Sequence, residues 1–486
     1  MRNVKKIASA LVIVAWIGMM GLLVKKTLVV PAQPVTHQKS AGTEIEAGEE
    51  WAGIYFKEKK AGYTFSRREI TAAGYHFAEE AVMDLSMLDV PQRITTAINA
   101  DTDKNLVLRS FNFKIQAGII SFSASGEVSG TTVHMKLSTG GTVQETKIAL
   151  EEAPCLEGSL RFVMAREGLS SGKKIARTVF DPFTMSNRKI IAQVEGPEVV
   201  IIKGKKYPCV RIKESFSGIT VYSWIDENGE TVKEESPMGF TLVKESKEAA
   251  TAGSTGKPPD IIAATGIPVN RPVDKERMAH LRVRLENVAL DGFVLHGGRQ
   301  SRHNDILDIQ LETIQDTQTF IVPFRQAGFQ EYLSASPFIQ SDSIGVTGQM
   351  KTIIGNERDA QKIVKKLLEW VYVHIEKIPT FSIPSAVEVL RTMRGDCNEH
   401  AVLFAALCRA AGIPAKTCAG IVYVNGKFYY HAWVEVYLNA WVTVDPALNQ
   451  FPADVTHIKF VEGEIDRQLE LVRIVGKLSI EVLECS

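Results

Sequence analysis

Gly395-Asp396-Cys397-Asn398-Glu399-His400-Ala401 is the stretch from which the rest of the chain can be read. Asp396 has the short acceptor side chain of an N-cap, and Glu399 stands three residues on, the spacing of a capping box. Ala401, Phe404, Ala405, Cys408 and Ala411 then recur every three or four residues until Gly412 and Pro414 stop the pattern. The stretch predicts a helix that starts at Cys397. A cysteine in a first helical turn lies beside unpaired backbone N–H groups and the positive end of the helix dipole. Both favour the thiolate, the form in which sulfur attacks. The same turn suits an oxyanion, and the N–H of Cys397 is the one donor for it that the sequence supports. Asp396 and Glu399 read as helix caps, and His400 reads as a structural residue one turn along.

Two later apolar runs carry the other groups such a thiol needs. His431 interrupts Phe428-Tyr429-Tyr430-His431-Ala432-Trp433-Val434-Glu435-Val436, and Asp445 ends Trp441-Val442-Thr443-Val444-Asp445-Pro446. A thiol nucleophile works with an imidazole that takes its proton and a carboxylate that fixes the tautomer of that imidazole. The order cysteine, histidine, aspartate and the flanks of each resemble the transglutaminase-like superfamily, relatives of papain-type cysteine peptidases, over about residues 355–460. The resemblance implies an α+β domain with the Cys397 helix packed on an antiparallel sheet. It implies catalytic roles for Cys397, His431 and Asp445 in acyl transfer through a thioester. Tyr430, Trp433 and Trp441 are expected to wall the substrate cleft.

The hairpin imposes a register test. Side chains alternate faces along a strand, so a two-residue turn of Asn439-Ala440 would set His431 and Asp445 on opposite faces. A three-residue loop, Leu438-Asn439-Ala440, pairs Tyr437 with Trp441 and makes His431 a same-face diagonal neighbour of Asp445. Asn tolerates the left-handed backbone that such a loop needs, so the odd loop is expected.

Other chemistries find less support. Cys397 and His400 have half of a zinc spacing, but no second Cys/His pair follows. There is no P-loop and no dinucleotide glycine signature, so neither metal nor cofactor is expected. The chain of 486 residues balances 56 basic against 56 acidic residues, which gives no reason to expect nucleic acid as a partner. Six thinly spread cysteines are not a disulfide framework, although Cys155 and Cys209 fall in one domain and could pair.

Arg2, Lys5 and Lys6 precede an uncharged, mostly apolar run from Ile7 to Val24, which Lys25 and Lys26 close. That run is at the lower end of bilayer-spanning length and lacks a clean small-residue cleavage site, so an uncleaved signal anchor is preferred to a cleaved signal. Residues 1–30 are thus expected to anchor the chain in a membrane in a single pass. Residues 31–50 read as a tether, and residues 51–247 as a β-rich domain of short alternating runs and turns, with a short helix near 159–169. Residues 248–275 read as a linker, and 276–486 as the transglutaminase-like domain. Within the last, 280–325 form either a small lead-in sheet or an extra strand pair, and 357–376 a helix with Ile363, Val364, Leu367, Val371 and Ile375 on one stripe. The β-rich domain loosely resembles the open sheets of periplasmic lipid-carrier proteins, including the turn after Trp224-Ile225-Asp226.

The sequence thus predicts a membrane-anchored, extracytoplasmic cysteine-dependent enzyme, periplasmic in a Gram-negative cell. It would hydrolyse peptide or amide bonds of a protein or peptide substrate, since water is always at hand for the thioester. Protein crosslinking is one alternative. A non-catalytic assembly module, with an envelope protein or lipid as partner of the β-rich domain, is the other.

Overall fold

The computed structural model describes residues 45–486 apart from 88, 119, 140–141, 183–184, 255, 276–277, 315–318 and 380–383. The expected anchor at residues 7–24 and most of the tether lie outside the described residues. Among the described residues no helix is long and apolar enough to cross a membrane.

Strict alternation builds the first region. In Thr132–Thr139 the side chains of Val133, Met135 and Leu137 are buried and those between them are not. Fourteen such strands among the described residues, from Gly48–Phe56 to Phe240–Lys244, form one antiparallel sheet. The chain runs outward strand by strand to Thr142–Ala149, crosses to the other edge at Lys174–Asp181, and returns until the last strand pairs with the first. The crossing segment holds the helix Leu160–Glu167, whose Leu160, Phe162, Val163 and Met164 are buried. The sheet curls around it, bringing Phe111 of the fifth strand and Phe180 of the ninth to 5.4 Å between ring centroids. Cys155 and Cys209 are both free thiols, so the possible pairing is not made.

The second region is helices on a sheet. The helix Ala360–His374 begins at the Asp359 cap and buries Ile363, Val364, Leu367 and Val371, the stripe its spacing predicts. It packs on the helix Cys397–Ala410, which in turn lies on the strands Ala415–Val424 and Lys427–Tyr437. Trp441–Val444 and Ile458–Glu462 extend that sheet on either side. Ile267–Pro268, placed in the linker by the sequence, pairs with Phe428 and Lys427 and belongs to the sheet instead. The strands His280–Glu286, Gln300–His303 and Ile306–Gln310 form a separate small sheet, completed by Ser479–Cys485 from the end of the chain. Its Leu281, Val283, Leu307 and Ile480 share one apolar core with the helices.

Candidate active site

The start of the Cys397 helix is fixed by its neighbours in sequence. Asp396 accepts a hydrogen bond from Asn398 N at 2.9 Å, and Glu399 Oε2 accepts one from Asp396 N at 2.8 Å, closing the capping box. Glycine is required at 395 by close approach, because a Cβ there would lie 2.2 Å from Glu399 Cβ. His400 is fully buried, with Nδ1 2.6 Å from Asp396 O. Cys397 itself stays partly exposed.

The hairpin has the odd loop. Tyr437 pairs with Trp441, Leu438 N donates to Ala440 O at 2.8 Å, and Asn439 adopts φ 67°. His431 and Asp445 therefore share a face, and His431 Nε2 donates to Asp445 Oδ2 at 2.7 Å. Nδ1 is the ring nitrogen left for the thiol, and His431 is hydrogen-bonded to Cys397. Gly420 pairs with His431 on the neighbouring strand, where a Cβ would come within 2.0 Å of Ile458 O. A larger residue there would push the strand that begins at Ile458, and with it the adjoining His457, away from its neighbour.

A residue the sequence reading missed completes the site. His457 is 1% exposed, and its Nε2 donates to the same Asp445 Oδ2 at 2.8 Å. Its Nδ1 lies 3.3 Å from both Asp454 O and Asp454 Oδ1, two acceptors, which favours the doubly protonated ring. Asp445 Oδ1 accepts from Ala447 N at 2.8 Å and Leu448 N at 3.0 Å, so the fully buried carboxylate has four donors. The signal for His457 in the sequence is weak: a lone histidine between Asp454 and the apolar run from Ile458.

Electrostatics follow from these contacts. Burial opposes a charge on Asp445, but His431 and His457 outweigh it and hold its carboxyl far below the ordinary range. Burial likewise opposes protonation of His431, yet Asp445 and Cys397 push it up to about 10. Burial and then the Asp396 carboxylate push the Cys397 thiol up, while His431 and Ala432 N–H pull it down. Any thiolate here is made by pairing with a protonated His431, and the two titrate together. The ligand atoms of His431, Asp445 and His457 lie within 4.8 Å of one another, a set able to hold a metal ion only if both imidazole protons leave.

Of the three residues expected at the cleft wall, Trp433 lies at the triad but is buried, and Tyr430 and Trp441 lie elsewhere. Trp433 is 1% exposed and forms the floor beneath the histidines, its ring 6.2 Å from that of His431 and 5.2 Å from that of His457. Tyr430 points to the opposite face of the strand and donates to Ile474 O at 3.2 Å. Trp441 pairs with Tyr437, six residues along the strand from His431, which is roughly 20 Å. There it packs with Phe329, Tyr332 and Lys416.

Residues 348–446 match the transglutaminase-like superfamily. The match takes in Cys397, His431 and Asp445 and stops short of His457. No curated protein matches the chain. Among solved structures, a candidate cysteine protease from Cytophaga hutchinsonii is 19% identical over 41% of this chain and 83% of its own, with a TM-score of 0.29. A β-barrel-like protein of a domain of unknown function from Brucella abortus is 11% identical over 42% of this chain and 100% of its own, with a TM-score of 0.34. A candidate protease from Parabacteroides distasonis is 9% identical over 70% of this chain and 68% of its own, with a TM-score of 0.19.

Proposed function

We propose that the transglutaminase-like domain at residues 348–446 is a thiol-dependent acyl-transfer unit that hydrolyses amide bonds. The observation that carries this reading is the continuous chain from the Cys397 thiol through His431 to Asp445. Cys397 Sγ attacks the amide carbonyl as a thiolate, with His431 protonated on Nδ1. The Cys397 N–H is the donor proposed for the resulting oxyanion, since Asn398 N–H is held by Asp396. As the C–N bond breaks, His431 gives its proton to the leaving amine and a thioester remains. Water, deprotonated by His431, attacks the thioester, releasing the acid and the thiol. Asp445 holds His431 in the required tautomer throughout.

A membrane anchor at residues 7–24, with the bulk of the chain outside the cytoplasm, is part of the same proposal. The basic-flanked apolar run supports it. A peptide and amide library turned over by wild type and by Cys397→Ala tests the reading, with a labelled amine present to score transfer. All turnover is expected to disappear in Cys397→Ala, and hydrolysis to exceed amine incorporation in wild type. Full activity in Cys397→Ala would overturn the triad. Incorporation exceeding hydrolysis would replace the hydrolase with a transferase.

A further inference from the structure

The curled sheet of the first region encloses a cavity of about 460 Å³, within the usual size range of small-molecule sites. One wall is apolar, with Phe65, Phe113, Phe180 and Leu242. The side chains lining it include seven carboxylates but two cations. Glu50 is bound by Arg161 through two hydrogen bonds of 2.7 and 2.9 Å, and Lys244 by Glu230 at 2.6 Å. Glu157 and Asp181 share Arg188 at 2.9 and 3.2 Å, and Glu80 is exposed. That leaves Glu79, Glu214 and Glu234, for which no ion pair is found among the described residues.

These three sit where the inward face of the sheet is otherwise apolar. Glu214 lies between Ile212 and Phe216, and Glu234 follows Val232 at the next inward position. Ser223 lies directly opposite Glu234 across the ladder, and Glu214 is diagonal to it. Ser223 also lines the cavity and is 5% exposed. Its hydroxyl makes no hydrogen bond of ordinary geometry, although it is near enough to Glu214 to favour that group's charged form. A buried polar group without a partner is costly, and Ser223 stands here beside three half-buried carboxylates. Burial and repulsion from neighbouring carboxylates, Glu157 among them, outweigh the nearby Arg161 and push Glu214 up to about 8 and Glu234 up to about 7.

We propose that this chamber binds an organic ammonium ion, a primary or quaternary amine on an apolar or aromatic body. Its cationic head sits among Glu79, Glu214, Glu234 and Ser223, and its body lies along the wall of Phe65, Phe113, Phe180 and Leu242. The aromatic rings add a favourable π face for the cation. A fatty acid or an anionic phospholipid would bring a further negative charge to the carboxylates, and a bare divalent ion would leave the apolar wall uncovered.

The test uses the full chain with Cys397→Ala, in nanodiscs of zwitterionic lipid with empty nanodiscs as the blank. Binding of 4-phenylbutylamine, 4-phenylbutanol and 4-phenylbutanoate, which share one body, is measured by equilibrium dialysis at neutral pH. The amine is expected to bind at least about tenfold more tightly than the alcohol, with no binding of the acid. The double variant E214Q/E234Q, which relieves repulsion and so keeps its fold by thermal melting, is expected to lose the preference for the amine. Equal binding of amine and alcohol overturns the proposal. So does tighter binding of the acid, displacement of the amine by calcium, an unchanged preference in E214Q/E234Q, or no binding at all.

Discussion

Two regions of this protein bury charge, and they do it in opposite ways. On the sheet that carries His431, Lys459 Nζ reaches Glu435 at 2.6 Å and Glu462 at 2.5 Å, and Lys416 Nζ reaches the same two carboxylates at 3.0 and 2.8 Å. Two cations and two anions close a ring in which every charge has two partners. In the chamber of the first region, Glu79, Glu214 and Glu234 face one another, and the nearby Arg161 is hydrogen-bonded to Glu50 instead. The attraction within the ring offsets the desolvation of its members, so the ring is complete as it stands and belongs to the architecture. The chamber keeps its desolvation cost and adds repulsion, an arrangement that a structural core avoids and a binding site uses. The triad lies between the two: Asp445 is one buried anion against two imidazoles, and which of them carries charge decides the chemistry.

The sharpest way to break this comparison is at Asp445. Asp445→Asn presents an amide to two donors at once and lets His431 turn to the wrong tautomer. Turnover should fall by about 10⁴-fold with the fold intact by thermal melting. A loss below tenfold would mean that the buried anion is only structural, like the ring.

Next comes the ring. Lys459→Met leaves Glu435 and Glu462 sharing one lysine in a dry environment, and a broken buried pair costs about 3–5 kcal/mol. Urea unfolding should show that loss, whereas Glu234→Gln in the chamber should cost nothing or add stability. Equal losses for the two variants would erase the distinction between them.

His457→Gln sharpens the third case. Glutamine still donates to Asp445 but carries no positive charge, so Asp445 is freed to support His431 more strongly. The basic limb of the pH–rate profile should then move to higher pH. The looser hold on Asp445 should slow turnover on the order of 10- to 100-fold, the scale seen when an outer partner of a functional group is lost. An unchanged profile would make His457 a packing residue.

The smallest expected effect is the pH dependence of stability in the first region. Burial raises Glu214 and Glu234 above their ordinary 4.5, so the folded protein holds protons that the unfolded chain has released. Their contribution is complete below about pH 4.5 and is lost as the pH rises through about 7 and about 8. Melting of the first region should therefore weaken from pH 5 to pH 8, and Glu234→Gln should flatten that slope. A wild-type profile already flat over this range would show that these carboxyls are not held as the structure places them.

What the sequence determined by itself is local. The capping box of Asp396 and Glu399 names the first turn of the Cys397 helix because caps are satisfied within a few residues. The face shared by His431 and Asp445 follows from a loop length, since alternation along a hairpin is fixed once the turn is known. The apolar stripe of Ala360–His374 needs only its own period. What the tertiary structure decided is which distant segments meet. Alternation marks Glu214, Ser223 and Glu234 as facing inward, but only the curl of fourteen strands turns that face into a chamber. Ser479–Cys485 fills the open edge of a small sheet nearly two hundred residues upstream, and no local pattern in either segment names the other. His457 reaches Asp445 because Ile458–Glu462 pairs beside Ala415–Val424, on the side away from Asp445's own strand. A period of two fixes the direction of a side chain and carries no information about which strand will lie next to it.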